Sequence, residues 1–171
     1  RKVNWVLDAD IRSFFDTLSH EWLVRFVEHR IADRRVVRLI QKWLSAGVLE
    51  DGQRIVSEAG TVQGGSISPL LANIHLHYVL DEWFEKEVKP RLRGQAYEIR
   101  YADDFILCFQ YREDAERVMG VLAKRFGRYG LTLHPEKTRL MDFGRDALRK
   151  SEGEGGPKPP TFDFLGFTHI C

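Results

Sequence analysis

The feature of the sequence that most constrains its fold is a pair of aspartates between two strand-like runs. The runs occupy 97–101 and 105–110, and only Ala102, Asp103 and Asp104 separate them. A separation this short predicts an antiparallel hairpin with carboxylates at its turn. Such a pair can be purely structural, because aspartate readily accepts hydrogen bonds within turns. The apolar flank and the repulsion between like charges make this pair a candidate for binding a cation.

A second acidic strand end lies near the start of the chain. Residues 3–10 are predicted to form a strand ending at Asp10, with Asp8 two residues earlier on the same face. If this strand neighbours the hairpin, both acidic segments meet at one edge of a sheet. Magnesium prefers oxygen ligands and usually takes only one or two protein carboxylates beside phosphates. Two such ions can stabilise the attacking and leaving oxygens of a displacement at phosphorus.

Helices and further strands follow in the rest of the sequence. The periodicity predicts helices over about 20–30, 33–46, 69–88 and 113–129. Further strands are predicted as a hairpin within 48–59 and at 131–133, 138–143 and 162–168. This order favours an α+β domain over 1–171, an antiparallel sheet with helices packed on one face. The glycine- and proline-rich residues 151–160 are expected to form a flexible loop before the last strand.

Composition and charge restrict the choice of class. With 171 residues, 43% of them hydrophobic, the chain forms one domain or a piece of a larger enzyme. No apolar run approaches the roughly 20 residues that cross a bilayer, so no membrane partner is expected. Two cysteines form no disulfide framework, which favours a cytoplasmic location. The net charge is only +1, but basic residues are concentrated in 25–42. This basic stretch is interpreted either as a solvated helix face or as a contact with nucleic acid.

Two histidines, His75 and His77, lie two apart on the predicted long helix. Residues two apart on a helix point to different faces, so a shared metal ion is not expected. They are expected to be packing or solvent-exposed residues.

Five segments together resemble the palm of reverse transcriptases, in particular those of the group II intron type. They are DADIRSFFD at 8–16, GTVQGGSISPLLAN at 60–73, YADD at 101–104, LHPEKT at 133–138 and FDFLGF at 162–167. Each segment alone is weakly specific, and their common order along nearly the whole chain carries the resemblance. The resemblance implies a polymerase palm with a ferredoxin-like core and the activity of an RNA-directed DNA polymerase.

The resemblance also implies catalytic roles. Asp10 and Asp103 would be the main ligands of two Mg²⁺ ions, or of Mn²⁺ in their place. Asp104 would assist, and the Ile11 carbonyl would be a further ligand. Lys137 would lie near the leaving pyrophosphate as a general acid, with an ordinary exposed turn lysine as the alternative.

Other residues are expected to contact the nucleotide. Phe15 would be an aromatic gate that excludes a 2′-hydroxyl, although either Phe14 or Phe15 must pack inward. Gln63 would touch the sugar or phosphate through its amide, and Gly64 would allow close approach of the backbone. Val62 stands where the family generally has proline, which loosens this turn.

The expected partners follow from the implied reaction. They are an RNA template, a DNA or RNA primer, a deoxynucleoside triphosphate, and an intron or other structured RNA. Phe164, Leu165 and Gly166 would present backbone to the primer end as a primer grip, or form part of a core strand, or both. The chain begins directly before the first palm segment, so the fingers and thumb of the same polypeptide are expected outside it. The isolated fragment is therefore expected to be weakly active or inactive.

Two other interpretations remain open from the sequence. A non-catalytic palm could serve as an RNA-binding or assembly module, although such palms typically lose acidic ligands that Asp10, Asp103 and Asp104 here retain. A CRISPR-associated or otherwise domesticated relative would keep the enzyme and change its biological role. Retron and diversity-generating enzymes fit the 60–73 segment less well, and RNA-directed RNA polymerases fit YADD and Phe15 less well.

Overall fold

Strands and helices make up most of the computed structural model, which describes residues 3–46, 48–50, 53–55, 59–60, 67–144, 147 and 160–170. The strands β1 to β8 are Trp5–Ala9, Val48–Glu50, Gln53–Ile55, Ala96–Tyr101, Asp104–Phe109, Arg139–Asp142, Thr161–Phe164 and Phe167–Ile170. The helices α1 to α5 are Phe14–Thr17, His20–Arg30, Arg34–Leu44, Ser68–Leu76 and Arg112–Arg128. Helix α4 continues through π-helical turns at His77–Asp81 and Phe84–Val88 into a 3₁₀ turn at Lys89–Arg91.

Four strands form an antiparallel sheet in the order β4-β5-β1-β6. Strand β1 lies in the interior of the sheet, where Leu7 is opposite Leu107 of β5 on one side and Leu140 of β6 on the other. Helices connect β1 to β4, and α5 connects β5 to β6. The result is the βαββαβ arrangement of ferredoxin-like folds. The predicted α+β class with an antiparallel sheet is confirmed.

The two faces of this sheet differ because successive strand residues point in opposite directions. One face packs against α4, its extension and α5 in a core that includes Leu7, Ala9, Leu76, Phe84, Phe105, Leu107, Leu122 and Phe126. On the opposite face, Val6 and Ile106 pack with Phe162 of β7. Burying one such large side chain contributes about 1.5–3 kcal/mol. The helices therefore fix which face of the sheet stays open.

Side-chain caps begin α2 and α3, close to the predicted helix starts at about 20 and 33. The Ser19 hydroxyl accepts from the Trp22 amide at 3.4 Å, and the Asp33 carboxylate accepts from the Arg35 amide at 2.8 Å. Helix α2 packs on both α3 and α4, in a second core that includes Leu23, Val27, Val37, Ile40 and Leu71. No helix in the described ranges is long and apolar enough to cross a membrane.

Two predictions about the end of the chain are wrong. Residues 162–168 do not form one strand, because Leu165 and Gly166 make a turn between β7 and β8 with φ of 53° and 77°. Two-residue turns with positive φ at both positions match the twist of paired strands. Residues 131–133 form only one bridge, between Leu133 and Ile11, instead of a strand. The expected loop at 151–160 lies outside the described residues, apart from Pro160.

His75 is a fully buried polar residue among the helices. Its ring centroid lies 5.4 Å from that of Phe26 and 6.5 Å from that of Tyr129. Neither ring nitrogen has a hydrogen-bond partner among the described residues. Burial lowers the pKa of His75 to about 4, because the imidazolium would lose its hydration. His75 is therefore a neutral packing residue.

We expect the stability of the fold to decrease in acid because of His75. The pKa of His75 is about 4 in the folded protein, against an ordinary value of 6.5 in the unfolded chain. The free energy of unfolding that depends on neutral His75 is therefore fully present above pH 6.5 and is lost as the pH falls toward 4. The loss amounts to about 3 kcal/mol. Urea unfolding of wild type and His75→Leu, at about pH 7 and about pH 4.5, measures it. The wild type should lose more unfolding free energy than the variant; equal losses would contradict the assignment.

Candidate active site

The open face of the sheet carries the acidic residues. The register between β1 and β5 sets Asp8 opposite Ile106 and Ala9 opposite Phe105. One further step along both strands sets Asp10 opposite Asp104. Directly opposed residues project from the same face of a sheet, and so do residues two apart. Asp8, Asp10 and Asp104 therefore lie together, as expected if the two acidic segments were neighbours.

These three carboxylates line a cavity of about 380 Å³. Its other polar walls are Glu136, Lys137 and Arg139, from the segment that leads into β6, and Asp163 of β7. Asp103 is half-buried in the turn next to the cavity and is not part of its lining. The cavity thus combines four parts of the chain that are distant in sequence.

Two basic side chains partly neutralise the cavity. The Lys137 Nζ lies 2.9 Å from Asp10 Oδ2, and the Arg139 Nη2 lies 3.1 Å from Asp8 Oδ2. The hydrogen bond to Asp10 raises the pKa of Lys137. Burial raises the pKa of Asp8, and the Arg139 contact offsets only part of this effect. Both basic side chains are largely exposed, so these ion pairs contribute little to stability and can rearrange.

Negative charge still exceeds positive charge at this edge. Burial raises the pKa of Asp104, and the carboxylates of Asp103, Asp10 and Asp8 raise it further, while Lys137 lowers it. Within the described ranges, no three acidic, histidine or cysteine side chains converge closely enough to hold a metal ion by themselves. Mg²⁺ needs only one or two protein carboxylates together with water and phosphate oxygens. The donor set and its excess of negative charge therefore fit Mg²⁺.

The backbone at Ile11 is compatible with its predicted role as a carbonyl ligand. Ile11 forms a bridge with Leu133, flanked by hydrogen bonds from the His134 amide to the Asp10 carbonyl and from the Arg12 amide to the Thr132 carbonyl, each at 2.8 Å. In this antiparallel pairing the carbonyl of the central residue points away from its partner strand. The Ile11 carbonyl is therefore directed toward the β5 side of β1.

The sequence leaves open whether Phe14 or Phe15 packs inward, and in the structure Phe14 is the more deeply buried of the two. Phe14 is buried in the core, whereas Phe15 is only half-buried, and their ring centroids lie 5.3 Å apart. Gly60 packs against the backbone of this segment at a φ of 88°. A Cβ at Gly60 would lie 2.9 Å from the carbonyl oxygens of Phe15 and Asp16, so only glycine fits. Gly60 opens the segment 60–73, and its requirement for glycine is visible only in the fold.

The remaining predicted residues divide into two groups. Phe164 lines the cavity, and Leu165 and Gly166 form the turn of the β7–β8 hairpin beyond it. The hairpin therefore places the predicted primer grip beside the acidic residues. Gln63 and Gly64 lie outside the described residues.

Comparison with known families decides the class of protein. Residues 1–169 match the family described as reverse transcriptase (RNA-dependent DNA polymerase). This chain belongs to the reverse transcriptase family. Protein YkfC of Escherichia coli K12 is 32% identical over 166 residues, which cover 80% of this chain and 43% of that protein. The group II intron-encoded protein LtrA of Lactococcus lactis subsp. cremoris is 44% identical over 73 residues, which cover 43% of this chain and 12% of that protein.

Solved telomerase structures share the fold. Apo telomerase from Candida tropicalis, truncated from the C-terminal domain, superposes with a TM-score of 0.73 at 17% identity, over 100% of this chain and 34% of that chain. Telomerase from Candida albicans in complex with a fragment of telomeric RNA gives a TM-score of 0.72 at 16% identity, over 99% and 29%. The predicted palm fold is therefore confirmed. This chain spans less than half the length of each of these relatives.

Removing the charge of Asp104 should stabilise the reverse transcriptase palm in the absence of metal. Asp104 is repelled by three neighbouring carboxylates, so Asp104→Asn should melt at a higher temperature than wild type in EDTA. Mg²⁺ should raise the melting temperature of the wild type by binding the folded state, and should raise that of the variant less.

Glu28→Gln, which removes an exposed charge from α2, is the matched control and should respond to Mg²⁺ like the wild type. An Asp104→Asn variant that melts lower in EDTA and keeps the full response to Mg²⁺ would contradict the assignment of the acidic edge.

Proposed function

We propose that residues 1–171 form the catalytic palm of an RNA-directed DNA polymerase of the group II intron type. The observation that carries the proposal is the meeting of Asp10 and Asp104 across the β1–β5 pair, in one cavity with Lys137. Membership of the reverse transcriptase family supports the chemistry. The 44% identity to an intron-encoded protein over 73 residues supports the type.

The reaction is transfer of a nucleotide to a primer on an RNA template. The primer 3′-hydroxyl attacks the α-phosphorus of a deoxynucleoside triphosphate, a new phosphodiester bond forms, and pyrophosphate leaves. Two Mg²⁺ ions, or Mn²⁺ in their place, would stabilise the attacking and leaving oxygens. Asp10, Asp103 and the Ile11 carbonyl would hold them, assisted by Asp104.

Lys137 would serve the leaving group. Its side chain is 65% exposed and contacts Asp10 through one ion pair, so it is free to turn toward pyrophosphate once Asp10 binds a cation. A lysine amine is protonated at neutral pH even at its ordinary pKa of 10.5, so Lys137 keeps its proton when it leaves Asp10. A protonated amine beside the leaving oxygens can neutralise their charge or donate a proton.

Nucleotide and primer contacts would surround this centre. The half-buried Phe15 would block a 2′-hydroxyl, and Gly60 packs against its backbone. Gln63 and Gly64 in the segment 60–73 would contact the nucleotide. The β7–β8 hairpin would support the primer end beside Asp163 and Phe164. The fingers and thumb of the same polypeptide, and a structured RNA such as an intron, would complete the assembly.

Primer extension tests the proposed function. The full-length protein, supplied with RNA template, DNA primer, deoxynucleotides and Mg²⁺, should extend the primer. Asp103→Asn should lower the rate at least about 100-fold, because the lost ligand stabilises charge in the transition state. Glu28→Gln should extend like the wild type.

Two outcomes would contradict the proposed function. One is extension that persists in EDTA and in Asp103→Asn. The other is a folded full-length protein that binds RNA without extending a primer, which would instead indicate a non-catalytic palm.

A further inference from the structure

Arg100 connects the Asp103–Asp104 turn to helix α4. Its Nε and Nη2 donate to the two carboxylate oxygens of Asp81, each at 2.7 Å. Its Nη1 donates to the Asn73 Oδ1 and to the Ala102 carbonyl, each at 2.8 Å. A planar guanidinium can make all four contacts at once, whereas an ammonium cannot.

The turn that Arg100 contacts has a strained backbone. Ala102 has a φ of 55°, in a region that residues with a Cβ rarely adopt. Such a conformation persists only where surrounding contacts enforce it. The hydrogen bond from Arg100 to the Ala102 carbonyl is such a contact, one residue before Asp103.

The same guanidinium also connects the turn with the beginning of α4. The Asn73 side chain accepts from Arg100 and donates its Nδ2 to the Pro69 carbonyl at 3.0 Å. Pro69 directly follows residues 60–68, the part of the chain proposed to contact the nucleotide. Arg100 therefore connects two parts of the proposed site that are about 30 residues apart in sequence.

The centre of this network, the Arg100–Asp81 pair, is largely shielded from solvent. The Arg100 side chain is 13% exposed and that of Asp81 28%. Burial raises the pKa of Asp81, but hydrogen bonds from Arg100 and Glu98 outweigh this and keep the pKa below its usual value. Burial and the neighbouring Asp81 carboxyl raise the pKa of Glu98, which favours its protonated form. Asp81 is thus the charged partner of Arg100.

We propose that Arg100 is a positioning residue that holds the strained Ala102 turn against α4 and so keeps Asp103 and Asp104 next to Asp10. This inference rests on the proposed function of the acidic edge. Arg100 does not line the cavity, so it acts through the turn and not on the substrate.

Arg100→Lys is the most informative variant, because it keeps the positive charge beside Asp81 but loses the fork of hydrogen bonds. Arg125→Lys is the matched control. Arg125 is also partly buried and donates to two backbone carbonyls, those of Tyr78 and Val79, each at 3.0 Å. Its contacts stabilise the extension of α4 without touching the turn.

Two measurements on the full-length protein test the role of Arg100. Electron paramagnetic resonance measures binding of Mn²⁺ alone, and steady-state primer extension measures kcat and KM. Arg100→Lys should weaken Mn²⁺ binding and lower kcat by about 10–100-fold, with an unchanged KM for primer–template, as is typical for residues that orient metal ligands. Arg125→Lys should change none of these. Asn73→Ala keeps the Arg100–Asp81 pair, so it should weaken Mn²⁺ binding and lower kcat less than Arg100→Lys does.

Wild-type Mn²⁺ affinity and kcat in Arg100→Lys and Asn73→Ala would overturn the inference. Equal losses in Arg125→Lys would also overturn it, because they would indicate general destabilisation. Asp103→Asn in the same assays distinguishes failure of the proposed function from failure of the role of Arg100 alone. If Asp103→Asn keeps both properties, the proposed function fails and the role of Arg100 fails with it. If Asp103→Asn loses both and Arg100→Lys loses neither, only the role of Arg100 fails.

Discussion

The register of β1 against β5 is the constraint on which the site depends. Because side chains alternate along a strand, the pairing that buries Leu7 opposite Leu107 also sets Asp8 and Asp10 on the open face. A slip of one residue would carry these aspartates into the helix-packed core and expose the apolar set. The hydrophobic free energy of one face therefore determines where the carboxylates of the other face lie. The position of the proposed active site is thus set by packing on the opposite face of the sheet.

The acidic edge has an electrostatic cost that the fold offsets locally. Burial and neighbouring carboxylates raise the pKa of Asp104, and the two basic side chains at the cavity are exposed and hold their partners through single contacts. Concentrated like charge of this kind is characteristic of sites that trade stability for function. Behind the turn, the shielded contacts of Arg100 oppose the backbone strain at Ala102. The Arg100 contacts thus support the turn that carries Asp103 and Asp104, while the exposed basic side chains contact Asp8 and Asp10.

The sequence pattern predicts those features of the fold that depend on residues close together in the sequence. The proximity of Asp10 to the Asp103–Asp104 turn follows from strand alternation and turn length, and helices α2 and α5 follow from helical periodicity. The family resemblance predicted from five segments is confirmed over residues 1–169. The β7–β8 turn was missed because its apolar flanks read as one strand, with Gly166 as the only signal against it. The need for glycine at Gly60 and the Arg100 contacts depend on residues 19 to 45 positions away, which no local pattern shows.

We propose above all that the open acidic edge of the sheet binds divalent cations for nucleotide transfer. Anomalous diffraction from crystals of the full-length protein, with primer–template, a non-reactive deoxynucleotide analogue and Mn²⁺, tests it most directly. Two anomalous peaks about 4 Å apart should lie between Asp10 and Asp103, with the Lys137 amine moved away from Asp10. Peaks at another place, or none at this edge while the nucleotide analogue is bound, would contradict the claim.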